Sequence, residues 1–118
     1  MNHFRFENLN IWQDSIELGD LLFDISNIAD NKKLYRFAEQ LRGAAMSISN
    51  NIAEGSGSFS DKEFSNFLNI ARRSVFECAN ILFIFHRRML ISEQTKNNLY
   101  SKLLILSKRI TTFRRSLK

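Results

Sequence analysis

Apolar residues recur three and four positions apart along most of the chain, which is the spacing of one face of an α-helix. The two clearest runs flank a short segment rich in serine and glycine, residues 55–60. The first run comprises Leu34, Phe37, Leu41, Ala44, Ala45, Ile48 and Ile52, and the second comprises Phe64, Phe67, Leu68, Ala71, Val75, Cys78, Leu82, Phe85 and Met89. This pattern predicts an antiparallel helical hairpin at the centre of the protein, from Gln40 to Phe85.

The turn of this hairpin carries its own local signals. Gly55 and Gly57 are predicted to reverse the chain, because glycine adopts positive φ at little cost and commonly ends helices. Ser60 and Glu63 have the spacing of a capping box, in which each side chain accepts a hydrogen bond from a free backbone N–H of the new helix. The longer helix of the hairpin is therefore predicted to begin at this serine.

A further amphipathic run predicts a helix before the hairpin. It extends from about Ile11 to Ala29, and Asn10 with Gln13 resembles an N-cap and its partner. Asn31 is predicted to cap the next helix, which begins near Lys32.

Another run predicts a helix after the hairpin, and aromatic residues mark the start of the chain. Ser92 is the predicted cap of the last helix, whose apolar positions are Leu99, Leu103, Leu106, Ile110, Phe113 and Leu117. Phe4 and Phe6 predict an extended N-terminal arm that lays two rings onto the body. Four helices with short connections predict an all-α fold, an antiparallel up-down-up-down four-helix bundle in a single domain.

Two helices carry more apolar residues than one monomer needs. Because monomers rarely expose large contiguous apolar patches, the surplus predicts self-association. The predicted interface residues are Trp12, Ile16 and Phe23 on the first helix and Phe76, Phe83 and Ile84 on the third.

Polar residues also follow one edge of the hairpin. They are Gln40, Ser47, Asn51, Glu54, Ser74 and Glu77. The first interpretation is hydrogen bonding between helices, and the second is a small polar site in which Glu54 and Glu77 act as acid and base. No histidine, metal-ligand spacing or phosphate-binding loop accompanies these glutamates, so we predict no enzyme, catalytic residue, metal or cofactor. Cys78, the single cysteine, lies within an apolar stripe and is predicted to be a core residue.

Composition adds a few bounds. The 118 residues include no proline and four glycines, and 44% are hydrophobic, which suits one domain of long helices. The longest uninterrupted apolar run, residues 81–85, is too short to cross a bilayer. The N-terminus has no apolar signal-peptide segment, so we expect a cytoplasmic protein without a membrane partner.

The net charge of +5 is unevenly distributed. Residues 1–31 carry a net charge of −5, and residues 87–118 carry +8. Such asymmetry favours attraction to phosphate, or attraction between the two ends of the protein itself. The candidate nucleic-acid-binding residues are Arg87, Arg88, Lys108, Arg109, Arg114 and Arg115.

Several of these segments also form a recognisable motif. Residues 40–48 read QLRGAAMSI and residues 51–55 read NIAEG, followed by Phe64, Phe67, Leu68, Ile70, Ala71, Ser74 and Glu77. With Phe6, Leu9 and Trp12 near the start, this pattern resembles the four-helix-bundle proteins of intervening sequences in bacterial 23S rRNA genes, also labelled S23 ribosomal proteins. Gly43 and Ser58 depart from it, because arginine is common at both positions.

The resemblance implies the bundle, a homopentameric ring and an association with RNA. A related bundle in diversity-generating retroelements is the nucleic-acid-binding partner of a reverse transcriptase, so a nucleic-acid-processing protein is a candidate partner. The sequence thus predicts a non-enzymatic homo-oligomeric scaffold that binds RNA or DNA. The alternative is a protein–protein adaptor whose basic face serves only solubility.

Overall fold

The computed structural model describes residues 2–117 and confirms the predicted all-α fold. A 3-10 helix, Arg5–Asn8, precedes four α-helices: α1 (Asn10–Asn31), α2 (Tyr35–Ser56), α3 (Asp61–Arg87) and α4 (Glu93–Ser116). Each helix packs on the next, and α4 also packs on α1, so that the four helices close into a bundle. The bundle measures 44 Å along its axis and 24 by 20 Å across.

The core consists of the apolar positions that the helical spacing predicts. All four helices contribute fully buried side chains, among them Leu22, Leu41, Leu82 and Leu103. Burying a side chain of this size stabilises the fold by roughly 1.5–3 kcal/mol. Met89 is the exception in the predicted stripe, because it lies beyond the end of α3 and is 88% exposed.

Antiparallel packing gives the bundle two different ends. The α1–α2 and α3–α4 connections, residues 32–34 and 88–92, lie together at one end, which we call the link end. The α2–α3 turn lies at the opposite end with the N-terminal 3-10 helix and the last turn of α4, and we call it the terminal end. Within the described residues, no helix is both long and apolar enough to span a membrane.

At the α2–α3 turn, the glycines act differently from the prediction. Gly57 has φ −88°, and no glycine among the described residues has positive φ. Gly55 lies within the last turn of α2 and is buried. Ser60 confirms the first half of the predicted capping box, because its Oγ accepts a hydrogen bond from the backbone N–H of Glu63 at 3.1 Å. The chain reverses here without a left-handed residue.

The left-handed residues lie at the link end instead. After α3, Met89 has φ 63°, its N–H donates to the carbonyl of His86, and the N–H of Leu90 donates to the carbonyl of Phe85. This pair of bonds is a Schellman motif, whose left-handed position usually holds glycine. The same pair of bonds ends α1, where Lys33 has φ 62°.

We expect the Met89→Gly variant to be more stable than the natural chain. A residue with a Cβ is disfavoured in the left-handed region by roughly 1–2 kcal/mol, whereas glycine enters it freely. The exposed Met89 side chain has little packing to lose, so the net gain should be about 0.5–1 kcal/mol. Chemical denaturation at a fixed protein concentration measures it. Arg88→Gly, at a residue with φ −84°, is the control and should be destabilising.

Two predicted N-caps are wrong, although α1 begins within one residue of its predicted start. Asn10 already lies inside α1, whose N-cap is Leu9, and the Gln13 side chain instead donates to the carbonyl of Glu7 at 2.8 Å. Asn31 is the last residue of α1, and α2 begins three residues later than predicted, with Leu34 as its N-cap. Tertiary packing rather than a side-chain cap sets both starts. Ser92 does cap α4 as predicted, through the N–H of Thr95 at 3.1 Å.

The N-terminal arm is partly helical rather than extended. The carboxylate of Glu7 accepts a hydrogen bond from the backbone N–H of Phe4 at 2.8 Å, which holds the 3-10 helix. Of the two rings predicted to lie on the body, Phe6 does so, because it packs on Trp12 with 4.8 Å between ring centroids, whereas Phe4 is 72% exposed and stacks on Phe6. The guanidinium of Arg5 lies 5.0 Å from the ring centroid of Phe64, so the arm covers the terminal end of the core.

Candidate functional site

An apolar surface follows the outer edge between α3 and α4. It consists of Phe76, Phe83, Tyr100 and Leu104, and we call it the α3–α4 seam. Phe76 and Phe83 are 55% and 49% exposed, and Phe83 meets Tyr100 edge-on with 5.8 Å between ring centroids. Phe76, Tyr100 and Leu104 line one shallow groove between the two helices. These exposed rings form a continuous apolar strip on one face of the bundle.

Two cations lie over the rings of this seam. The guanidinium of Arg72 is 4.8 Å from the centroid of Phe76, and the ammonium of Lys96 is 4.8 Å from that of Phe83. Both distances fall within the range of cation–π attraction. The Arg72 Nε is buried without a hydrogen-bond partner within the described residues, so packing on the ring holds this side chain. The α3–α4 seam is therefore apolar with a positive rim.

A second apolar surface follows the edge between α1 and α2. Arg42 of α2 marks this edge, because it contacts Asn27 and Asp30 of α1. Trp12 precedes Asp30 by 18 residues, which is five full turns, and Ile16 precedes Asn27 by 11 residues, about three turns. Both apolar side chains therefore lie on the α2 side of α1.

This second surface, the α1–α2 seam, comprises Trp12, Ile16, Phe23 and Met46. Ile16 and Met46 are exposed, whereas Trp12 and Phe23 are half-buried and pack on the core. The neighbouring outward positions of α1 carry the exposed acids Asp20 and Asp24, whereas Glu17 lies further around the helix, in the groove that α1 forms with α4. The α1–α2 seam is therefore apolar with a negative rim.

The two seams lie on opposite faces of the bundle, because the helices follow one another around it in chain order. The predicted interface residues divide between them, with one exception. Ile84 is exposed but lies 100° around α3 from Phe83, away from α4. The exposed Ile70 lies near it in phase and also faces away from both seams. The structure therefore brings Phe76 and Phe83 together and leaves Ile84 apart.

The polar row of the hairpin is only partly assembled. The Ser47 and Ser74 hydroxyls are 2.8 Å apart across α2 and α3, and the Asn51 side chain donates to the Ser47 carbonyl at 2.7 Å. Gln40, Glu54 and Glu77 are exposed, and among the described residues their side chains make no hydrogen bond to this row. The contacts fit the first interpretation, hydrogen bonding between helices.

The remaining chemistry is also that of a packed core. Burial, with a smaller contribution from the charge of Glu77, raises the pKa of the Cys78 thiol to about 12. A thiol with this pKa stays protonated at neutral pH and is a poor nucleophile. Among residues 2–117, no three histidine, cysteine or acidic side chains are grouped so that they could hold a metal ion.

The structure separates the six predicted basic residues. Arg87 and Arg88 are exposed at the link end, whereas Lys108, Arg109, Arg114 and Arg115 lie in the second half of α4, toward the terminal end. Some of the α4 cations already have partners. Arg109 pairs with Asp14 at 2.5 Å, and the Arg114 Nε donates to the carbonyl of Ser65 at 3.0 Å.

Sequence reasoning missed residues on two surfaces. Tyr100 and Leu104 complete the α3–α4 seam, and their signal was their position off the main apolar stripe of the last helix. Lys32, Lys33 and Arg36 are exposed at the link end, close to Arg87 and Arg88 in the fold. Their signal was the antiparallel order of the helices, which brings the first and third connections to the same end.

Comparisons with known proteins identify relatives of the chain. The family model described as 23S rRNA-intervening sequence protein matches residues 7–112. The chain is also similar to a crystal structure at 1.70 Å resolution of a protein with unknown function from the S23 ribosomal protein family of Bacteroides thetaiotaomicron VPI-5482. That similarity has a TM-score of 0.84 and 20% sequence identity, and it covers 90% of this chain and 99% of the other. No curated protein matches the chain.

Proposed function

The chain belongs to the family of 23S rRNA-intervening sequence proteins, and we propose that it is a non-enzymatic scaffold that assembles by docking one copy's α1–α2 seam onto the next copy's α3–α4 seam. The observation that carries this proposal is the position of two exposed apolar seams on opposite faces of one bundle. Monomers rarely leave two such surfaces uncovered.

The form of the assembly follows from the two surfaces. Contact between two different patches is head-to-tail, and such contacts generate rings when the rotation between copies closes. The rims are complementary, because acidic residues flank the α1–α2 seam and the cations Arg72 and Lys96 lie on the α3–α4 seam. Complementary charge orients the partners and disfavours contact between two identical seams. A closed homo-oligomer is the expected product, and the family resemblance favours five copies.

Light scattering after size exclusion tests the assembly. We expect a mass several times that of the 13.8 kDa chain, with five copies giving about 69 kDa. A standard interface buries about 800 Å² of each partner, roughly a tenth of this monomer's 7609 Å² surface. A mass of one chain at micromolar concentration in moderate salt would overturn the proposal.

A second candidate function is nucleic-acid binding. The observation that favours it is the net charge of +5 together with exposed cations that have no ion-pair partner among the described residues. Neutralising phosphates releases condensed counterions, which gives basic proteins their salt-dependent affinity for nucleic acids. Fluorescence anisotropy with labelled RNA and DNA duplexes at low salt tests it. If the protein binds neither duplex, the remaining candidate is a protein–protein adaptor, whose basic residues serve only solubility.

A further inference from the structure

We propose that the link end is the nucleic-acid-binding face of the protein, and that Lys32, Lys33, Arg36, Arg87 and Arg88 contact the phosphodiester backbone there. This inference rests on the nucleic-acid binding proposed above and assigns it a location. The chemistry recognised is a row of backbone phosphates, which duplex RNA and duplex DNA both present.

Cations from two distant parts of the sequence converge at the link end. Lys32 and Lys33 follow α1, Arg36 lies in the first turn of α2, and Arg87 and Arg88 end α3. Antiparallel packing places all five at one short face, about 24 by 20 Å in cross-section. All five are exposed. Because the two groups lie about 50 residues apart, charge counting along the sequence does not reveal this cluster.

Fewer carboxylates than cations lie near this face. The acid in the last turn of α1, Asp30, is already paired with Arg42, Glu39 lies one turn after Arg36 on α2, and Glu93 is the acid in the first turn of α4. In the part of the chain that the structure describes, none of the five link-end cations forms an ion pair. The face therefore keeps its positive charge.

The terminal end differs in this respect. Of the α4 cations, Arg109 pairs with Asp14 and Arg114 donates to a backbone carbonyl. The first turn of α3, at the same end, contributes the acids Asp61 and Glu63. Lys108 and Arg115 form no ion pair among the described residues, but two of the α4 cations are already engaged and acids of α3 share this end, so the α4 cations are the less suitable phosphate ligands.

Self-assembly would multiply the link-end charge. In a ring, cyclic symmetry places the same end of every copy at the same height, so that the five cations of each copy form one annulus. An annulus of many cations can contact many phosphates of one backbone, whereas a single small anion can contact only a few of the cations.

Two matched triple variants test the location. The link-end variant is Lys32→Gln, Arg36→Gln and Arg88→Gln, and the control is Lys102→Gln, Lys108→Gln and Arg115→Gln. Both triples remove three exposed positive charges, so they change the net charge equally. The probes are labelled RNA and DNA duplexes longer than the 44 Å bundle, with anisotropy measured over a series of salt concentrations.

The link-end variant should lose affinity on the order of 100-fold or more in about 0.1 M salt. The slope of its log affinity for duplex DNA against log salt concentration should flatten by about 2.7, or about 0.9 for each of three phosphate contacts. The control variant should change this slope by less than about 0.9, the contribution of one phosphate contact. Comparison of the RNA and DNA probes shows which duplex is preferred.

Three results would overturn the inference. An equal or greater loss of affinity in the control variant would place the binding site on α4, and nucleic-acid binding itself would be retained. If the natural chain binds neither duplex, the proposed binding function is lost as well. If anionic lipid vesicles capture the protein instead, the link end is a membrane-binding face. Circular dichroism verifies that each variant is folded. If the link-end triple variant is unfolded, the double variant Arg36→Gln and Arg88→Gln replaces it. The double variant Lys108→Gln and Arg115→Gln is then the control.

Discussion

The Phe83→Asp and Ile16→Asp variants are each expected to be folded and to lose the closed assembly. Either substitution places a carboxylate where the proposed contact excludes water, and an unpaired charge in such a place costs about 3 kcal/mol or more. That cost weakens each contact by more than about 100-fold. Light scattering should then show the mass of one chain, 13.8 kDa, at concentrations where the natural chain is assembled.

Ile105→Asp is the matched control for these variants. Ile105 is more exposed than Ile16, yet it lies on the α1-facing edge of α4 and belongs to neither seam. Its replacement should leave the mass of the assembly unchanged. Dissociation by Ile105→Asp, with Phe83→Asp still assembled, would place the contact on a different face. Circular dichroism spectra should show full helix content for all three variants.

The Gly55→Ala variant is expected to be destabilised by about 3 kcal/mol, the upper part of the range for an overpacked core. A Cβ at Gly55 would lie 2.6 Å from the Cβ of Phe67 and 2.8 Å from Cδ1 of Phe64. Phe64 cannot easily move, because it is fully buried beneath Arg5 and packs edge-on against Phe113, 5.5 Å away. The added methyl group must therefore push α2 and α3 apart at the terminal end.

Gly43→Ala provides the control for the Gly55 substitution. Gly43 also lies inside α2, but nothing lies within 4 Å of the position its Cβ would take. Alanine favours helix over glycine by about 1 kcal/mol, so this variant should be stabilised. Urea denaturation of both variants at one protein concentration makes the comparison. Equal stabilisation by the two substitutions would show that the contact at Gly55 is not tight.

The apolar spacing of the sequence predicted the four helices and most of the core. Residues such as Leu41, Leu68 and Leu103 lie at positions that a helix repeats on one face, so their burial needed no knowledge of the neighbouring helices. Ser60 and Ser92 were equally local, because a serine cap bonds to an N–H three residues away.

The failures came from features that depend on distant residues. Gly55 was expected to turn the chain, but it is small because Phe64 and Phe67 of the next helix approach it. Asn10 and Asn31 have good capping chemistry, yet packing of Leu9 and Leu34 on the core sets where α1 and α2 begin. These residues have the local turn and capping propensities that the prediction assigned to them, but tertiary contacts override those propensities in the fold.

The candidate surfaces show the same division. The surplus of apolar side chains on the first and third helices was visible in the sequence, because it is a count along one helix. The grouping of Phe83 with Tyr100 rather than with Ile84 was not, since it depends on the side of α3 on which α4 packs. The link-end cluster likewise depends on the order of the helices.

Mixing the two seam variants tests the proposed head-to-tail contact most directly. Ile16→Asp keeps an intact α3–α4 seam, and Phe83→Asp keeps an intact α1–α2 seam, so the two monomers can form one contact together. We expect the equimolar mixture to give a dimer of about 28 kDa, two chains of 13.8 kDa, in light scattering. It cannot grow further, because the free seams of that dimer are both blocked. A mixture that stays at the mass of one chain, or a variant that dimerises alone through its intact seam, would contradict contact between opposite seams.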